Sequence, residues 1–383
     1  MKSKFLDIIL MATLITVVVS GLGFTWQQTT SPIVDGYSVD MSADGRIICA
    51  TGSATRLNIS TNSGQTWAEI TNTNLLSPFN SDGVAISADG AKIFAIMSSN
   101  GVSGNWVFVS SDQGATWTKT GFPSGGNTAV ACSADGTKVI AASAGQPIFY
   151  STNGGINCFT SSAPSFTWKE LASSADGRRM VAVALSSRVY LSDDFGANWT
   201  TIFPVQSWNA ICVSGDGNWV GATSAGGSYI SSDFGVSGQS IPLAGKAIAC
   251  SANGSNWVIA GTGVQTYTST NAGLNWQTNV LFLWNDVAMS ADGNEIFFSS
   301  SYAGIWVGHD ISSPQLNIAP LDSAVKISWL LPSTNFVLQQ NTVLTTTNWI
   351  PVPNNPLLNF TNLNQEVSVP TTSSNTFFRL MAQ

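Results

Sequence analysis

A turn of the form S-A/G-D/N-G returns seven times, at Asp44, Asp89, Asp135, Asp176, Asp216, Asn253 and Asp292, with successive spacings of 45, 46, 41, 40, 37 and 39 residues. A period near forty residues confines a chain to architectures in which each unit buries its apolar surface against the next. Five positions before the turn residue stand Val39, Val84, Val130, Leu171, Ile211, Ile248 and Val287, and four after it Ile48, Ile93, Val139, Met180, Val220, Trp257 and Ile296. Four before it the residues are Asp40, Ala85, Ala131, Ala172, Cys212, Ala249 and Ala288, so the opposite face is mostly small. Bulky residues on one face and small ones on the other specify strands that pack closely, and the D-G turn between two such runs is a hairpin signal.

The second half of each unit carries S/T-x-D/N-x-G-x-x-W, complete at Ser60 to Trp67, Ser110 to Trp117, Ser192 to Trp199 and Ser269 to Trp276. Degraded copies end in Cys158 and Gly238 where the Trp belongs. The box Asp or Asn falls 17 or 18 residues after the turn residue, except in the second unit, where 23 marks an insertion over Ser98 to Asn105. The box side chain can bond backbone N–H groups just downstream, Gly supplies the positive φ of the bend, and Trp covers the turn.

These boxes resemble the Asp-box, or BNR, repeats of sialidases and related propellers, over roughly residues 36 to 311. A fuller resemblance is to the non-catalytic propellers related to the photosystem II assembly factor. It is carried by Trp208-Asn209-Ala210-Ile211, Trp284-Asn285-Asp286-Val287 and the S-x-D-x-G-x-T-W logic. It implies four-stranded blades braced by the boxes, and it is an analogy of fold. Each unit reads as strand A, the S-A-D-G turn, strand B, a loop, strand C, the box, and strand D. The expected fold is all-β: a seven-bladed propeller over residues 24–312, followed by a small β-sandwich at 313–383. The F-V-L-Q-Q-N…W…F-F-R-L pattern of that tail resembles C-terminal modules of large exported bacterial proteins, which implies attachment or spacing.

Lys2 and Lys4, the apolar run Ile8 to Val19 and the small residues Ser20 to Gly23 read as a signal peptide, residues 1–23, with an uncleaved anchor as the alternative. No stable membrane span is expected after cleavage, and the product is expected outside the cytoplasm, as a monomer. Blade 7 runs out after Asp310 with no box and no strand D, while Phe24-Thr25-Trp26-Gln27-Gln28 looks like the D strands of other units. Residues 24–29 are therefore expected to form the outermost strand of blade 7, with Trp26 in place of the missing box Trp.

Charged residues are 9% of the chain and the net charge is −7, which leaves no basic surface for phosphates and makes nucleic acid a poor partner. The five cysteines occupy packing positions, with a Cys132–Cys158 disulfide as the alternative. No zinc-spaced cluster or phosphate loop occurs and no cofactor is expected. The single histidine, His309, leaves no His-dependent triad. Six arginines remain after the leader, and they do not assemble the arginine triad that the sialidase resemblance would imply. The best pair for a two-carboxylate glycosidase is Glu170 and Asp286, each six residues before its turn.

Boxes join strands C and D at one end of the ring, so the B-to-C and D-to-A loops share the other. Trp168, Trp208 and Trp284, at the entrance to strand A, and Arg56, Trp106, Arg188 and Tyr302, in B-to-C loops, belong to that end. They are the candidate binding residues, with the tryptophans as wedges between blades the alternative. The expected function is an exported, non-catalytic propeller that binds a protein or a glycan. Glycoside hydrolysis is the alternative.

Overall fold

The structure is a computed structural model, and it describes residues 16–18, 24–32, 36–52, 57–70, 83–99, 102–280, 282–300, 302–310, 317–321, 324–330, 336–342, 348–354, 356–359, 364–370 and 376–382. Among them there is no helix. Seven antiparallel sheets, each carrying strands A, B and C in sequence order, form a β-propeller, and a four-stranded and a three-stranded sheet follow. The inner strands are Gly36–Met41, Val84–Ile86, Asn127–Cys132, Trp168–Ser173, Trp208–Val213, Gly245–Cys250 and Asp286–Met289. In the second blade the insertion lengthens the hairpin Ile93–Ser99 with Val102–Ser110. After the propeller, Asn317–Leu321, Ala324–Leu330, Asn364–Pro370 and Leu357–Asn359 make one sheet, and Ile350–Pro351, Phe336–Asn341 and Phe377–Ala382 the other. They bury Ile327, Trp329, Val367 and Leu338 together, a β-sandwich.

Both recurrent turns secure themselves. At the AB turn of the third blade, Ser133 Oγ donates to Asp135 Oδ1 at 2.5 Å and accepts the N–H of Lys138 at 3.0 Å, while Asp135 Oδ1 accepts the N–H of Thr137 at 2.9 Å. At the CD turn of the second blade, Ser110 Oγ donates to Asp112 Oδ1 at 2.8 Å, Asp112 takes the Thr116 N–H at 2.8 Å, and the Trp117 indole donates to Gly114 O at 3.0 Å. The hydroxyl and N–H of Thr116 hold the Asp112 carboxyl below the usual carboxylate range. The AB turns also pack under the preceding blade. Gly254, at φ 68°, lies under the Trp219 ring, and a Cβ there would stand 2.2 Å from Trp219 Cδ1.

Apolar seams between blades carry the core, and at their mouth end sit three tryptophans. Trp168 is 1% exposed, packs on Ala129, Ile140 and Ile148 of the preceding blade and donates its indole N–H to Gln146 O at 3.0 Å. Trp208 is fully buried against Val189 and Leu191. Trp284 stacks on Phe298 with centroids 4.6 Å apart and donates to Thr266 Oγ1 at 2.9 Å. The expectation that these rings face a ligand is corrected: each one fills the gap that opens between blades as they splay from the axis.

The ring closes through the N-terminal segment. Phe24–Gln28 pairs antiparallel with Gly304–Asp310, from Phe24 opposite Asp310 to Gln28 opposite Trp306. It is not the outermost strand, because Thr16–Val18 pairs outside it and makes a five-stranded sheet. The Trp26 side chain lies outside the described residues, as does Arg56.

Candidate functional site

The inner strands enclose a cavity of about 430 Å³ on the propeller axis. Its lower end narrows at the residue before each turn Asp or Asn, where Ala43, Ala88, Ala134, Ala175, Ala252 and Ala291 converge. Their backbones form a closed hydrogen-bonded belt. Ala43 N donates to Ala88 O at 2.9 Å, Ala88 N to Ala134 O at 2.8 Å, Ala134 N to Ala175 O at 2.8 Å and Ala175 N to Gly215 O at 2.9 Å. Asp216 N donates to Ala252 O at 3.4 Å, Ala252 N to Ala291 O at 2.8 Å, and Ala291 N back to Ala43 O at 2.9 Å. Only a small side chain leaves room for this approach, and the small position recurs in every copy. The channel is thus a funnel whose wide end is the mouth.

Above the belt, each seam carries its own polar staple. Asp40 Oδ2 accepts the Ile86 N–H at 2.7 Å between blades 1 and 2, and Asn127 Nδ2 donates to Asn105 O at 2.7 Å between 2 and 3. Thr128 Oγ1 donates to Trp168 O at 3.1 Å, Glu170 Oε2 accepts the Ile211 N–H at 3.1 Å, and Asn209 Nδ2 donates to Gly245 O at 2.8 Å. Lys246 Nζ donates to Asn285 Oδ1, and Asp286 Oδ2 accepts the Val39 N–H at 3.0 Å to complete the circle. Inner strands have a channel-facing edge whose N–H and C=O groups have no ladder partner, and these side chains satisfy part of it.

Glu170 and Asp286 therefore share the channel, and sequence reasoning missed a third carboxylate, Asp40. The signal was present: Asp40 is the one charged residue in the otherwise small position four before the turn. Burial raises the Asp40 carboxyl to about 7, with a further push from the charge of Asp286. Asp286 is raised to about 6 by burial, and Glu170 stands well above its ordinary range through burial and then the Asp286 charge. Among the described residues no cluster of His, Cys, Asp or Glu could hold a metal ion.

Because these carboxyls titrate higher in the folded chain than in the unfolded one, the folded state binds the extra protons. The stability they contribute is complete below about pH 4 and is lost as pH rises through 6 to 7. The melting temperature is expected to be higher at pH 5 than at pH 8. Glu170→Gln keeps an oxygen for the Ile211 N–H while removing the charge, so it should raise melting by a few degrees at pH 8 and leave it unchanged at pH 5. A flat melting profile from pH 5 to 8 would contradict this account.

Around the mouth the remaining candidates separate. Tyr302 is 85% exposed on the B-to-C turn of blade 7. Arg188 is exposed at the start of strand Ser187–Ser192, its guanidinium donating to Phe203 O at 2.9 Å. Trp106 is not in a loop: it stands within Val102–Ser110 opposite Met97, half-buried, with Lys119 Nζ 2.9 Å above its ring centroid. New at this end are Lys169 and Lys246, both exposed at the channel mouth, and the exposed apolar side chains Leu185, Val205, Val264 and Leu283. The turn and box carboxylates all belong to the opposite end.

No family model matches this chain, and no curated protein matches it. Among solved structures it is similar to YCF48 bound to a D1 peptide, with a TM-score of 0.59 and 13% identity over 78% of this chain and 100% of that one. YCF48 from Cyanidioschyzon merolae aligns with a TM-score of 0.60 and 14% identity over 74% and 98%. The GH74 xyloglucanase from Xanthomonas campestris aligns with 0.60 and 13% over 80% of this chain, which spans 59% of the enzyme's length. At such identities the likeness establishes the β-propeller fold.

Proposed function

We propose that this chain is an exported, monomeric, non-catalytic propeller whose mouth face holds an extended segment of a protein partner. One observation carries the reading. The mouth end presents the exposed cations Lys169, Arg188 and Lys246 beside the exposed apolar side chains Leu185, Val205, Leu283 and Tyr302 and bears none of the turn and box carboxylates, which stand at the other end. A rim that mixes cationic and apolar groups suits a peptide carrying acidic and apolar side chains. The YCF48 structure bound to the D1 peptide supports a peptide as ligand for such a ring. We read the CD turns as Asp boxes of the BNR type, braces remote from the binding end, and residues 1–23 as the leader that exports the chain.

Glycoside hydrolysis is the second reading, favoured by the proton-holding carboxyls Glu170 and Asp286 in one cavity and by the GH74 neighbour. Against it, each of those carboxyls already receives a backbone N–H across a seam.

The full chain is to be applied to a peptide array, a glycan array and a panel of chromogenic glycosides. Expected is binding of acidic, apolar peptides that weakens at least tenfold in K169E/R188E/Y302A and is unchanged in R178E on the opposite face. Glycoside turnover lost in E170Q, or peptide binding lost only in R178E, would overturn the proposal.

A further inference from the structure

Five cysteines are free, and two of them meet. Cys212 lies on inner strand Trp208–Val213 and Cys250 on the neighbouring blade's inner strand Gly245–Cys250, and both side chains pack in one apolar cluster across the seam. The blades are close at this height for a reason visible in the register. Cys212 stands opposite Gly221 in its own blade, and Cys250 opposite Trp257 in the next. A Cβ on Gly221 would come 2.3 Å from the Trp257 ring, so glycine is what lets the two inner strands approach.

The two thiols differ in access. Both line the wall of the channel, where Cys250 is half-buried and Cys212 is 8% exposed. Burial, and then the neighbouring Cys250 thiol, hold the Cys212 thiol protonated well above its ordinary range. That is the arrangement of an attacking and a resolving thiol. The other cysteines have different settings: Cys132 lies on blade 3, Cys158 fills a box-Trp position with Sγ 3.6 Å from Gly155 O, and Cys49 is buried in strand Ile48–Gly52.

We infer that Cys212 and Cys250 are a modification site, which a small disulfide reagent entering through the channel mouth converts to a disulfide between blades 5 and 6. Cys250 gives its proton to water, and the thiolate attacks one sulfur of the reagent R–S–S–R. This forms a Cys250–S–S–R bond and releases one thiolate. Cys212 then loses its proton and attacks Cys250 Sγ, expelling the second thiolate. Both cysteines are oxidised, and the reagent is reduced to two RSH once the thiolates take up the two protons. The product is a covalent tie across a seam otherwise joined by packing, hydrogen bonds and the loop at residues 242–244. A channel of about 430 Å³ makes the route selective, because it admits a small reagent and holds back a large one.

The test exposes the folded full chain to cystamine, and in parallel to oxidised glutathione, at pH 8. Free thiols are then blocked, and the digested peptides are mapped by mass. Expected with cystamine is a peptide pair joined through Cys212 and Cys250, a fall in titratable thiols from five to three, and a melting temperature several degrees higher. Glutathione should react at least tenfold more slowly. Cys132→Ser should leave the reaction intact, and Cys212→Ser should halt it at a cystamine adduct on Cys250. Should Cys212→Ser not fold, mapping of the unsubstituted chain decides alone. Five thiols still titrating, a cross-link between other cysteines, or glutathione reacting as fast as cystamine would overturn the inference.

Discussion

A chain lacking residues 24–30 is expected to melt far below the full chain, by 10 °C or more, or to be recovered only as aggregate. Phe24–Gln28 supplies the ladder to the outer edge of Gly304–Asp310, and Thr29 N adds a bond of 2.9 Å to Ile305 O. Gln28 Nε2 also donates to Ala303 O at 2.9 Å. Removing the segment leaves a seven-residue edge with its backbone groups open to other chains. At roughly 1 kcal/mol for each lost hydrogen bond, the deletion costs about 5 kcal/mol before any apolar loss is counted. The first and last blades would then be held by lateral packing, by the belt bond from Ala291 N to Ala43 O and by staples such as Val39 to Asp286. The measurement is thermal unfolding followed by circular dichroism, beside light scattering. A deletion variant that melts with the full chain would show that closure rests on the belt and staples alone. Deleting residues 1–18 is the companion variant: it removes Thr16–Val18 but keeps the closing strand, and a drop of a few degrees at most is expected.

Trp168→Ala is expected to cost about 3–5 kcal/mol, the range for truncating a large buried aromatic, and to lower melting by roughly 10 °C. The loss comprises the edge contact with Tyr190 at 5.1 Å, the packing on blade 3 and a hydrogen bond that leaves Gln146 O without its donor. Trp208→Ala should cost less than Trp168→Ala, because the Trp208 indole N–H is buried without a partner and its removal also relieves that penalty. Denaturant unfolding of the two variants ranks them. The reverse order, or a peptide-binding defect in either variant without a stability loss, would place these rings at a ligand and not in the seams.

Much of the fold is legible because its signals are short. The S-A-D-G and S-x-D-x-G-x-x-W turns are closed by hydrogen bonds between residues two to five apart, so Ser133, Asp135 and Lys138 stand in the sequence as they stand in the turn. Burial alternation along strand A and the missing box of blade 7 are likewise visible in the letters. The mouth was less legible. Trp168, Trp208 and Trp284 share a position and a residue type with ligand-site aromatics, and nothing local distinguishes a ring facing solvent from one facing the next blade. Lys169 and Lys246 escaped notice because their position seven before the turn is occupied by Thr128, Asn209 and Asn285 in other copies, and no pattern repeats there.

By itself the sequence determined the number of blades, the order of strands within each, the turns that brace them and the segment that could close the ring. Each of these depends on interactions within a single forty-residue unit or on a unit that is visibly incomplete. Only the tertiary structure decided what faces what across the seams. The staple between Val39 and Asp286 joins residues 247 apart, and Cys212 meets Cys250 because Gly221, on a different strand, leaves space for Trp257. The channel floor is decided in the same way: a small residue before each turn, alanine in six units and Gly215 in the other, is unremarkable in one unit and becomes a closed belt when seven meet around an axis. Such features arise from the angle between neighbouring sheets, which no single repeat contains.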